Sequence, residues 1–196
     1  MAKSSIDRRV ARTRAALQQA CMSLILKKGH EAVTVGSICK AANVGRSTFY
    51  LHYSGKDDIR RQGLENLRKE LLTHQKHAAA HAAKGKERLL SFSRPMLEHA
   101  RAHLGMYRAV VGGQGGTAAL AQIHGILTDL VRNELASTAA KSAADGKLDE
   151  LMAQHIVGAF MGVMTWWLDN GADLSPGQVD EMFQQLAFRG IASMRP

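Results

Sequence analysis

Apolar residues recur at helical spacing from near the start of the chain. Between about Asp7 and Lys28 they fall at Val10, Leu17, Ala20, Cys21, Leu24 and Ile25, with Arg and Gln between them. That is the period of a helix with one inward face. Lys27 and Lys28 then precede Gly29, a helix end with cations in its last turn. Thr34 can cap a short second helix to about Ala41. Asn43 suits the turn that follows, because it tolerates a left-handed backbone. A third short helix is expected from about Gly45 to Leu51, and Ser54 can cap a long fourth from about Lys56 to Ala80. Further helices are predicted at about 87–103, 104–111, 117–140, 148–170 and 176–194. Gly112, Gly113, Gly115 and Gly116 break one connection, and Asp145-Gly146 breaks another. Asn170-Gly171 closes the penultimate helix, and Ser175-Pro176 opens the last, with Pro suited to a first turn. No two-residue alternation long enough for a strand is present. The expected class is all-α, with about nine helices.

Composition agrees with this pattern. Among 196 residues there are only 3 Pro, 2 Trp, 3 Tyr and 5 Phe, a balance that favours helix over sheet. The length suffices for a core without disulfide or metal staples. Two cysteines, Cys21 and Cys39, cannot make a disulfide framework, so a reducing cytoplasm is the default. The basic start MAKSSIDRRVARTR has no apolar stretch behind it, unlike a secretory signal. No uninterrupted apolar run approaches the roughly 20 residues that span a bilayer. A cytoplasmic protein with no membrane partner is expected.

Charge changes the picture more. Residues 1–56 hold 10 basic groups against Asp7 and Glu31, while the other 140 residues hold 16 basic and 15 acidic groups. Nearly all of the net +9 therefore lies in the first quarter. A basic module joined to a near-neutral body suggests that one part meets a polyanion and the other does something else. Within the basic quarter, residues 34–50 read as helix-turn-helix. Val35, Ile38 and Ala42 give the first helix an inward face, and Val44 and Phe49 give the second its own. Arg46, Ser47, Thr48 and Tyr50 remain outward. All can donate hydrogen bonds to phosphates or base edges, and such a helix fits a major groove about 12 Å wide.

The stretch TVGSICKAANVGRSTFYLHYSGKDDI, with the residues before it from about position 7, resembles the DNA-binding domain of the TetR family of transcriptional regulators. The resemblance implies three N-terminal helices that bind DNA, over residues 1–55, and a helical body over 56–196 that dimerises and holds a ligand. It also implies that Thr34, Thr48, Tyr50, His52 and Lys56 meet phosphates while Arg46 and Ser47 face base edges. Asn43 stands where the family often has Gly, Gly45 where it often has Ser, and Leu51 where it often has a polar or basic residue. Gly45, at the start of the recognition helix, thus belongs to the expected interface without supplying a side-chain cap. A bidentate Arg46–guanine pair would be worth roughly 1–3 kcal/mol of base discrimination.

In the body, the helix from Leu148 to Leu168 is apolar nearly all round. Leu148, Met152, Ile156, Ala159, Val163 and Trp166 form one stripe; Val157, Phe160, Met161, Met164, Trp167 and Leu168 form another. Two apolar faces need two partners, and a second subunit is the natural candidate for one. Gly158 and Gly162 would let another helix approach closely. The segment HIVGAFMGVMTWWLDNGADLSP also resembles the C-terminal domain of some TetR-family members, which pair their last two helices as a four-helix bundle. Val157, Phe160, Met164, Trp167, Phe183 and Leu186 are the expected dimer contacts. An unknown small-molecule effector is expected against Met96, His99, His103, Tyr107, Gln122, Met161 and Trp166, since cavities are mostly apolar with a few polar groups. The expected function is a dimeric repressor on a palindromic DNA operator, released by that effector.

Other signals carry less. His74, His77 and His81, and His99 with His103, have spacings that could hold a metal, but no acidic or Cys partner lies near in sequence. Cys21 and Cys39 read as small core residues. The run GGQGG lacks the strand and the Lys-Ser/Thr of a phosphate cradle. No Ser/His/Asp or Cys/His set stands in a catalytic context. No metal, cofactor or enzymatic activity is expected. The rival reading is a helical small-molecule carrier whose basic arm touches membranes or acidic proteins.

Overall fold

The computed structural model describes residues 2–82, 90–105, 107, 116–138 and 145–192. Among these every regular element is a helix, and there is no strand. We number them α1 (Ala2–Lys28), α2 (Val35–Ala42), α3 (Arg46–Tyr50), α4 (Lys56–Ala82), α5 (Ser93–Ala102), α6 (Gly116–Thr138), α7 (Asp145–Asp169) and α8 (Pro176–Ala192). The helix expected over 104–111 lies mostly outside the described residues. The helix expected from about 87 begins at Ser93, after Leu90 takes a left-handed turn at φ 61°.

The chain forms two compact units. One comprises residues 1–66 with 105–119, the other 67–104 with 120–196. The division thus falls inside α4, after the boundary at 55/56 drawn from the sequence. The reason is packing: Ile59, in the first turn of α4, is buried with Leu17, Cys21, Val33, Ile38, Phe49 and Tyr53 in the core of the smaller unit. Cys21 sits in this core, and burial pushes its thiol up to about 11, keeping it protonated and unreactive.

In the second unit, Phe160 of α7 stands edge-on to Phe92, with centroids 5.1 Å apart, and to Phe183 of α8 at 5.2 Å. Ser93 at the start of α5 donates to the buried carboxylate of Asp180 on α8, and Gln184 donates to both, at 3.2 and 3.1 Å. Gln75 in the second half of α4 donates to the Leu130 carbonyl of α6 at 2.9 Å. Arg132 on α6 grips Glu150 on α7 with two bonds of 2.6 and 2.8 Å. Ser175 and Gln178 cap α8 reciprocally, at 2.9 and 3.3 Å, as the Ser-Pro start suggested. By length and composition alone α7 could cross a membrane, with a mean hydropathy of 1.3 over its apolar window. Its Met152, Ile156, Val157, Phe160, Met164, Trp167 and Leu168 are instead buried inside the unit.

Candidate nucleic-acid interface

The candidate interface begins at Thr34. Its backbone is extended at φ −118°, and its Oγ1 accepts the Ser37 N–H at 3.2 Å while Ser37 Oγ accepts the Thr34 N–H at 3.0 Å. This capping box fixes where α2 starts. The Thr34 hydroxyl accepts in that bond, so its own proton remains to be given to an anion. The α2 amides of Val35 and Gly36 point the same way at a helix N-terminus, where negative charge is favoured. α2 ends at Asn43, in the left-handed region at φ 53°, and the Val44 N–H closes the turn on the Cys39 carbonyl at 3.0 Å.

α3 starts at Gly45, which has no side-chain cap. Phe49 anchors the helix: it is fully buried, edge-on to Tyr50 at 5.3 Å and tilted against Tyr53 at 5.9 Å. That anchor turns Arg46, Ser47 and Tyr50 outward. All three are exposed, Tyr50 by 59%, while Thr48 and His52 are half-buried. No acidic residue occurs from Ala32 to Lys56, so nothing on this stretch repels a phosphate. Arg46 lies over Gly36: a methyl built on Gly36 would sit 2.9 Å from its guanidinium nitrogen Nη2. The two helices thus share one surface at that point.

Two expectations change here. The Lys56 ammonium is already engaged on two of its three N–H donors. It donates to the carbonyls of His30 and Glu31, at 3.1 and 3.4 Å, and ties the start of α4 to the turn after α1. Ser54 does not cap α4 through its hydroxyl oxygen. Its N–H and hydroxyl donate to Asp58, at 2.8 and 3.2 Å, and Arg61 adds a bond of 2.7 Å. The Ser54 N–H, burial opposing, and the Arg61 charge hold the Asp58 carboxyl below its usual range. Sequence reasoning passed over Gly36, Ser37 and Asp58. The three-residue spacing of Thr34 and Ser37 was a usable signal for the capping box.

These helices match two family models. One, described as bacterial regulatory proteins of the tetR family, covers residues 17–62. The other, described as a transcriptional regulator C-terminal region, covers residues 87–189. The chain belongs to the TetR family. A stretch of 73 residues is 34% identical to the uncharacterized HTH-type transcriptional regulator YxbF of Bacillus subtilis (strain 168), covering 37% of this chain and 19% of that protein. The chain thus matches about a fifth of that relative's length. Solved TetR-family folds extend over nearly the whole chain. A TetR transcriptional regulator from Streptococcus agalactiae aligns with TM-score 0.64 at 19% identity, covering 94% of this chain and 98% of that one. NalD, the secondary repressor of the MexAB-OprM multidrug efflux pump in Pseudomonas aeruginosa, aligns with TM-score 0.61 at 17% identity, covering 92% and 96%. A DNA-binding helix-turn-helix regulator is the function that family membership carries.

The expected body residues are redistributed. Val157, Phe160, Met164, Trp167 and Phe183 are each at most 2% exposed within a single chain. They form the internal core of the second unit, where a partner subunit cannot reach them, and of the expected dimer contacts only Leu186 is exposed, by 71%. The outward stripe of α7 is Leu151, His155, Gly158, Gly162 and Trp166, with Leu151 60% and Trp166 56% exposed. Met182 on α8 is likewise exposed, by 56%. Of the expected effector contacts, Trp166 and Gln122 face outward, Tyr107 belongs to the smaller unit, and Met96 is fully buried. His99, His103 and Met161 are half-buried. The His99 and His103 rings stand 4.6 Å apart, and His99 Nδ1 lies 3.5 Å from Glu70.

Proposed function

We propose that this TetR-family protein is a cytoplasmic, dimeric repressor that reads a palindromic operator with α3 and is released by a small-molecule effector. The observation that carries the reading is the acid-free outward face of α3 beside the capped start of α2. Arg46 and Ser47 reach base edges. Thr34, Thr48, Tyr50 and His52 position the helix on phosphates, which fix register without carrying sequence information. Lys56 keeps one N–H for a phosphate while the other two hold the start of α4 against the turn after α1.

Reading two half-sites requires a two-fold pair of chains. The self-complementary surface is the outward apolar stripe of α7 and α8, built from Leu151, Gly158, Gly162, Trp166, Met182 and Leu186. A methyl added to Gly158 or Gly162 would meet nothing within 4 Å, so another helix has room to approach there. The effector is expected against α5, where the half-buried His99 and His103 offer hydrogen-bonding rings at the edge of an apolar interior. It acts by favouring a spacing of the two α3 helices that no longer matches the groove.

A mobility-shift titration on the protein's own promoter region, repeated at two salt concentrations, tests this. Binding that falls steeply with salt and loses base preference in Arg46→Ala is the expected result. Equal binding by parent and variant would remove Arg46 from the reading. Effector binding with no DNA binding at all would favour the carrier reading instead.

A further inference from the structure

α1 is one continuous helix, but only its second half has a core to build. Leu17 is its first fully buried residue, followed by Ala20 and Cys21. The tetR-family match also starts at residue 17. Ahead of it, none of residues 7–16 is buried. At 1.5 Å per residue, the part of α1 before Leu17 is roughly 22 Å of helix. Arg8, Arg9, Arg12 and Arg14 are exposed along it, against one acid, Asp7.

This arrangement works against the helix in isolation. Packing supplies most helix stability in proteins, and here little is packed. Arg8 and Arg12 are like charges four residues apart, a spacing that destabilises. Exposed arginines in that setting suit an anion that approaches from outside. Position names the anion. Arg14 and Gln18 lie beside Tyr53, just past the end of α3, while Lys56 binds the turn at the opposite end of α1. The exposed half of α1 therefore leaves the core on the α3 side.

We propose that this arginine-bearing half of α1 is a second DNA-contact element, lying along the phosphate backbone of the duplex that flanks the sequence read by α3. The proposal rests on α3 being the DNA reader. It assigns the arm affinity without base preference, since phosphates carry no sequence.

The test uses the full-length chain, the double variant R9Q/R12Q and the triple variant R8Q/R9Q/R12Q. Each is titrated against duplexes trimmed flush to the recognised site and against duplexes extended on both sides. Binding is followed over a range of salt. The parent is expected to gain affinity from the extensions. The log–log salt slope should flatten by about 0.9 for each phosphate that an arginine no longer neutralises, hence by about 2 in the double and about 3 in the triple variant. Base preference should be unchanged, and circular dichroism should show helix content and melting temperature at or above the parent's. A triple variant with the parent's slope and the parent's gain from extended duplex overturns the arm and leaves the α3 reading intact. A parent that selects no site overturns the α3 reading itself.

Discussion

A methyl group on Gly36 would press on the Arg46 guanidinium, while helix propensity pulls the other way. Gly36 lies in the first turn of α2, so Gly36→Ala should stabilise the protein by up to about 1 kcal/mol. The group displaced is the tip of a flexible side chain, which moves at little energetic cost. Affinity for the selected DNA should nevertheless fall several-fold, because Arg46 is pushed from its resting place. Chemical denaturation and a DNA titration of the same variant check both halves. Lys56→Ala should lower stability by roughly 1.5–3 kcal/mol, the worth of a hydrogen bond from a charged group, also read by denaturation; a solvated lysine would leave stability unchanged. Both residues looked different in the sequence. Lys56 had the charge and place of a phosphate ligand, and its carbonyl acceptors lie 25 and 26 positions away, beyond any local pattern. The Thr34 cap and the left-handed Asn43 were legible because their partners are within three or four residues.

At the level of elements, periodicity located the helices well and their orientation less well. α7 is apolar on nearly every side, so its two stripes look alike in one dimension. The side that turns inward is set by Phe92 and Phe183, which reach it from elsewhere in the chain. The consequence is a contrast between neighbours on α8. Phe183→Ala should cost about 3–5 kcal/mol of folding stability, whereas Leu186→Arg should leave the melting temperature of the isolated chain nearly unchanged. α5 adds a pH dependence. Burial first, then the neighbouring His103, pushes the His99 pKa below its ordinary 6.5, and Glu70 opposes this. The unfolded chain therefore binds the proton before the folded one. The stability tied to His99 is complete above pH 6.5 and is lost as pH falls below it toward the folded value. Thermal melts from pH 7.5 to 5 should show a loss that His99→Gln reduces; parallel curves would show that His99 is not the group responsible.

For the whole molecule, the charge imbalance between the first quarter and the rest was visible in composition alone, and the helix-turn-helix sits within that quarter. The assembly is where the parts must act together. Leu186→Arg should raise the dissociation constant of the proposed dimer at least tenfold, seen by sedimentation, and weaken operator binding in step, because one chain holds only one α3. The central claim is that Arg46 and its neighbours on α3 read base sequence in duplex DNA. Selection from a random duplex pool with the full-length chain tests it most directly. The account predicts an inverted repeat whose half-sites lie about 10 base pairs apart, with preference lost at one position of each half when Arg46→Ala is used instead. A pool that shows no enrichment, or the same enriched sequence from parent and variant, would contradict it.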